Sequence, residues 1–145
     1  MARVLAFNIS KVKGVPKEEV GAVTFIEESG IEGDAHAEPG LRQVSLLAKE
    51  SADKIREIMP EIGNGRFAEN VTTEGIVLSV LPIGTQILLD GKVLLQVTQI
   101  GKECHGGCAI KQIVGDCVMP REGIFARVLK GGRVSPGCEL LIIGE

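Results

Sequence analysis

The chain has 145 residues, 44% hydrophobic and 24% charged, and a formal net charge of −3. A chain of this size buries a core without disulfides or metals, and its composition is that of a globular protein rather than a disordered one. Its sixteen Lys and Arg form no basic stripe, which argues against nucleic acid, and no window reaches the ~18 apolar residues of a membrane span.

The opening "MARVLAFNISKVKG" carries too short an apolar run for a secretory leader. A cytoplasmic protein with reduced thiols is expected, so its four cysteines are candidates for chemistry or metal rather than for a disulfide framework. Nineteen glycines, with Phe as the only aromatic type, imply many turns and short strands. One domain over residues 1–145 is expected.

In chain order, Arg3 to Ile9 reads as a strand, and Gly14 and Pro16 as a turn. A second strand, Gly21 to Glu27, alternates Ala22, Thr24 and Ile26 against Val23 and Phe25. The Gly- and acid-rich "EESGIEGDAHAEPGLRQ" reads as a long loop. "SLLAKESADKIREIMP" then predicts a helix capped by Ser45, with Leu47, Ser51, Ile55 and Met59 in one stripe, an i,i+4 pair of Glu50 and Lys54, and an end at Pro60. "TQILLDGKVLLQVTQI" predicts a hairpin on Asp90-Gly91, whose positive φ angles suit a type I′ turn. Its second arm alternates Val93, Leu95 and Val97 against Leu94, Gln96, Thr98 and Ile100. "GIFARVL" alternates again, Gly131-Gly132 turns, and Cys138 to Ile143 forms the last strand. About seven short strands and one or two helices give a β-dominated barrel.

The stretch "GKECHGGCAIKQIVGDC" holds three of the four cysteines. As a metal site, Cys104, Cys108 and Cys117 with His105 offer a single hook, whereas structural zinc ordinarily uses two. As a thiol site, Cys104 stands between Lys102 and His105, with Lys111 and Arg121 near in sequence, and such cations stabilise a thiolate. Gly106-Gly107 lets backbone N–H groups approach an anion or planar ligand. Cys108 is placed to resolve a disulfide or persulfide on Cys104. His105 reads equally as an exposed loop residue, Cys138 as a small core hydrophobe, and Cys117 either way.

"GIEGDAHAEPGLRQVSLL", "GRFAENVTTEGIVLSVLPIGTQILL", "LLQVTQIGKECHGGC" and "REGIFARVLKGGRVSPG" follow the order and spacing of the MOSC domain. The chain therefore resembles the family that forms the C-terminal domain of molybdenum cofactor sulfurases and also occurs alone in bacteria. The resemblance runs from about Gly21 to Ile143. It implies a mainly β protein, a MOSC-type barrel of six or seven strands with one main helix and short helical turns. It implies a role with sulfur or the molybdenum cofactor (molybdopterin). The family's hallmark cysteine corresponds to Cys104, which binds molybdenum where the cofactor is held and is otherwise a proposed persulfide carrier. Gly33, Asp34, Arg42, Glu69, Asn70, Thr72, Thr73 and Gly84 match further family positions.

A site for that cofactor pairs a thiolate with cations and backbone donors. Cys104 with Arg42, Arg121, Lys102 and Gly106-Gly107 meets that description, with His105 beside them. Asn70 and Thr72 could hydrogen-bond the pterin, or equally satisfy local backbone. Arg42 could also pair with Asp34 or Glu38. Gly137-Cys138 departs from the family's Gly-Asp, and Cys108 points to a subgroup with a C-x3-C pair. The desulfurase domain and its pyridoxal phosphate lysine are not expected in this chain. Its partners are then an upstream sulfur donor such as a cysteine desulfurase, and cofactor-biosynthesis or molybdoenzyme proteins. A non-catalytic binding module and a zinc-stabilised barrel are the rival readings.

Overall fold

The computed structural model describes residues 2–12, 17–35, 37–40, 43–56, 69–100 and 123–144. Among these, eleven strands run in chain order: β1 (Arg3–Ile9), β2 (Glu18–Val20), β3 (Val23–Ile26), β4 (Gly30–Ile31), β5 (Val44–Ala48), β6 (Val71–Glu74), β7 (Gln86–Leu89), β8 (Val93–Ile100), β9 (Ile124–Lys130), β10 (Gly132–Val134) and β11 (Leu140–Gly144). One α-helix, α1 (Lys49–Arg56), follows β5, and a 3-10 turn spans Leu78–Val80. The larger sheet has the order β11-β7-β8-β9-β5-β6-β1-β2, and the smaller the order β10-β3-β4. All pairs are antiparallel except β5 with β6.

The expected barrel is not formed: the protein is mainly β, with two sheets, and neither closes. The nearest approach is a seam where Arg3 forms one bridge with Glu139. There Val4 N–H donates to the Cys138 carbonyl, and Gly137 N–H to that of Val4. The cause lies in β1, whose outer edge is divided. β2 occupies Phe7 to Ile9, which leaves only the first residues of β1 facing the last strand.

Several elements match the sequence. β1 spans the expected residues, and in β3 Val23 and Phe25 are buried while Ile26 is exposed. The hairpin forms as expected, with Asp90 and Gly91 at φ of 53° and 64° and Lys92 N–H donating to the Leu89 carbonyl. Val93, Leu95 and Val97 face the core.

The helix starts later than expected. Val44–Ala48 is a strand buried at every position, hydrogen-bonded to β9 on one side and β6 on the other. An apolar run covered on both faces shows no period by which helix and strand can be told apart. Ser45 is therefore a strand residue, not a cap. α1 carries an i,i+4 pair of Lys49 and Asp53 at 2.7 Å, and Glu50 accepts from Gly75 N–H. The Lys54 side chain, Met59 and Pro60 lie outside the described residues, as do Gly14 and Pro16. The long acidic loop contains β4, and the second strand is shorter than read, with β2 before it.

The core combines Val4 and Phe7 of β1 with Leu46, Val71, Ile87, Leu95, Ile124 and Ala126. Phe25 meets Phe7 edge-on, ring centres 5.8 Å apart, and so fastens the small sheet to the large one.

Candidate functional site

Residues 101–122, which carry Cys104, Cys108, Cys117, Lys102, His105, Gly106, Gly107 and Arg121, lie outside the described residues, as does Arg42. The root of the segment is described. Ile100 pairs with Ile124, Ile124 with Leu46, Leu46 with Val71 and Val71 with Phe7. Five strands thus share one row. Neighbouring strands lie about 4.8 Å apart, which puts Val71 roughly 10 Å from Ile124 and roughly 14 Å from Ile100.

Asn70 and Thr72 flank Val71, and because side chains alternate along a strand they face away from the core that Val71 joins. On that opposite face they build a buried polar cluster. Asn70 Oδ1 accepts from Ser45 N–H at 3.0 Å and from Ser45 Oγ at 3.1 Å. Asn70 Nδ2 donates to the Asn8 carbonyl. Asn8 Nδ2 donates to Thr72 Oγ1 at 3.0 Å and to the Glu69 carbonyl at 3.1 Å, and Thr72 Oγ1 donates to Glu69 Oε2 at 3.1 Å. All five residues are buried. Asn8 Oδ1 and Thr73 Oγ1 are buried with no hydrogen-bond partner.

Beside this network Lys17 Nζ sits 2.7 Å from Asp34 Oδ1, with both side chains almost wholly buried. Ser10 N–H also donates to Asp34 Oδ1. Burial alone would raise the Asp34 pKa. The hydrogen bond and charge of Lys17, with the Ser10 N–H and the Asn70 amide, outweigh it and hold the carboxyl below its ordinary value. Asp34 is thus paired with Lys17.

Of the expected site residues that are described, Asn70 and Thr72 fall in one cluster, together with the matched positions Asp34 and Glu69. Their polar groups bind one another and backbone groups remote in the chain, Ser45 N–H and the Asn8 carbonyl, rather than the local backbone expected. Asn8, Ser10, Lys17 and Ser45 were not foreseen. Asn8 alone had a signal, an amide in an otherwise apolar strand, since Asn is depleted in strands. Cys138 is half-buried and packs on the core, and burial raises its thiol pKa, with the Asp90 charge adding to the effect.

No group of three or more His, Cys, Asp and Glu able to hold a metal occurs among the described residues. No described helix is long and apolar enough to cross a membrane. Chemically, the cluster is a fixed hydrogen-bonded platform, and Lys17, the cation described beside it, is engaged with Asp34.

The model of the MOSC domain matches residues 32–141. In structure the chain is similar to the YUAD protein from Bacillus subtilis, at 20% identity over 100% of this chain and 97% of that one, with a TM-score of 0.80. It is also similar to YiiM from Geobacillus stearothermophilus, at 20% identity over 99% of this chain and 75% of that one (TM-score 0.74). YiiM from Escherichia coli gives 20% identity over 99% and 70% (TM-score 0.68). At such identity these likenesses bear on the fold alone. No curated protein matches the sequence.

Proposed function

Because the chain belongs to the MOSC domain family, we propose that it binds molybdenum cofactor, or receives and passes on sulfur, through the Cys104 thiolate. The observation that supports this reading is the root of the cysteine segment, set in the strand row that runs to the buried cluster of Asn8, Ser45, Asn70 and Thr72. A reactive loop gains precision when its base is a rigid, hydrogen-bonded element. Asn70 and Thr72 serve by fixing that base.

When bound, the cofactor supplies a molybdenum centre that a cysteine thiolate ligates. Its phosphate would fall to Arg42, Lys102 and Arg121 and to the N–H groups of Gly106-Gly107, with His105 beside the thiol. In the sulfur-carrier form, Cys104 takes the outer sulfur of a donor persulfide and the donor thiolate leaves. Cys108 is the second thiol, able to release that sulfur with formation of a Cys104–Cys108 disulfide. The activity is sulfurtransferase-like and needs partners: a cysteine desulfurase upstream, and cofactor-biosynthesis or molybdoenzyme proteins downstream.

To test this, reduced wild-type protein and Cys104→Ser are incubated with a low-molecular-weight persulfide as sulfane-sulfur donor or with purified cofactor, desalted, and analysed by mass spectrometry and for molybdenum. Wild type is expected to keep a sulfur adduct on the 101–122 peptide or to retain molybdenum, and Cys104→Ser to lose both. Equal retention by the two proteins would overturn the reading.

A further inference from the structure

Two edges bound the eight-stranded sheet, and they differ in kind. β2 carries Glu18 and Glu19, carboxylates that would oppose their own copies if such a strand paired with itself. β11, Leu140 to Gly144, has neither charge nor proline. Exposed edges are normally guarded by charge, proline or cover. Leu140 N–H is tied to the Ala2 carbonyl, but beyond it Leu141, Ile142 and Ile143 are 44%, 41% and 50% exposed. Both faces of that half-strand are thus partly exposed.

In the segment that leads into β7, the strand partner of β11, further apolar side chains are exposed. Ile83 and Val80 are 63% and 72% exposed, and no residue from Gly75 to Leu89 carries a charge.

We propose that this corner binds a second copy of the chain, with the two β11 edges pairing antiparallel about a two-fold axis. An open backbone edge calls for a strand as its occupant. A two-fold axis sets each patch against itself, which is unfavourable for a charged patch such as β2 and favourable for an uncharged apolar one. A chain with a net charge of −3 would thus meet its copy through residues Leu141 to Gly144, which carry no carboxylate.

The test is sedimentation velocity on the full chain over a concentration series, with Leu141→Lys and Ile143→Lys as variants. Both positions are about half exposed, so a lysine can direct its ammonium to water without disturbing the monomer. Wild type is expected to dimerise with rising concentration, and each lysine, which puts an ammonium into the apolar seam from both chains, to weaken association about tenfold or more at an unchanged melting temperature. Hydrogen exchange at residues 141–144 of wild type is expected to slow as dimer forms, a readout independent of how the variants fold. A wild type that stays monomeric, folded lysine variants that still dimerise equally, or exchange indifferent to concentration would each overturn the proposal.

Discussion

Asp34 keeps its charge in a place where water cannot reach it, and the arrangement has a definite acid response. Removing one partner of a buried ion pair costs about 3–5 kcal/mol, because the other is left as an uncompensated charge. Asp34→Asn is therefore expected to lower unfolding stability by about 3 kcal/mol in urea at neutral pH. Replacing Lys17 and Asp34 together by apolar residues should cost less than either single change. The sign of the pH dependence follows from the depressed pKa. The carboxylate's contribution is complete above its ordinary value of about 4 and is lost as pH falls from there through the lower folded value. Stability measured across that acid range should fall less steeply in Asp34→Asn than in wild type. Parallel curves would mean that the Lys17 contact carries no net linkage.

Elements differ in how far local chemistry determines them. The Leu89–Lys92 turn needs only Asp90-Gly91 and was legible, whereas β5 depends on two ladders built from distant residues, and its apolar run reads equally as helix. The site divides in the same way. The cysteine segment announces itself by residue type, but the polar cluster joins Asn8 to Thr72 across 64 residues, and nothing within either neighbourhood shows that pairing. The barrel failed for a related reason: a content of short strands was evident, but not that there would be eleven among the described residues rather than about seven, nor that β2 would take half of the β1 edge. Glycines give a test of element chemistry. Gly91 has φ of 64° and open space around the missing side chain, so Gly91→Ala pays only for its left-handed backbone, about 1 kcal/mol. At Gly131 a Cβ would run into the Phe25 carbonyl, where β9 of the large sheet passes into β10 of the small one. Gly131→Ala is expected to cost about 3 kcal/mol, and a thermal melt of both variants should place it well below Gly91→Ala.

Across the whole molecule, neighbours in the sheet are remote in the chain. β1 lies beside β6, β5 lies between β9 and β6, and the seam joins residues 2–4 to 137–140. Closing such long loops costs entropy before any contact repays it, so refolding should fall in the millisecond-to-second range of non-local β proteins. The hairpin of β7 and β8, being local, is the natural early element, and the seam, which requires both chain ends, the natural late one. Gly137 probes that order. Its φ is 88° with open space about it, and its N–H donates to the Val4 carbonyl at 2.7 Å. Gly137→Ala should thus strain the seam by about 1–2 kcal/mol without steric conflict. A contact absent from the transition state changes unfolding and leaves refolding alone. Stopped-flow urea kinetics should accordingly show faster unfolding for Gly137→Ala, about five- to thirtyfold if the full strain is expressed, with an unchanged refolding limb. A slowed refolding limb would instead put the union of the two chain ends in the folding nucleus and remove the hairpin from its leading place.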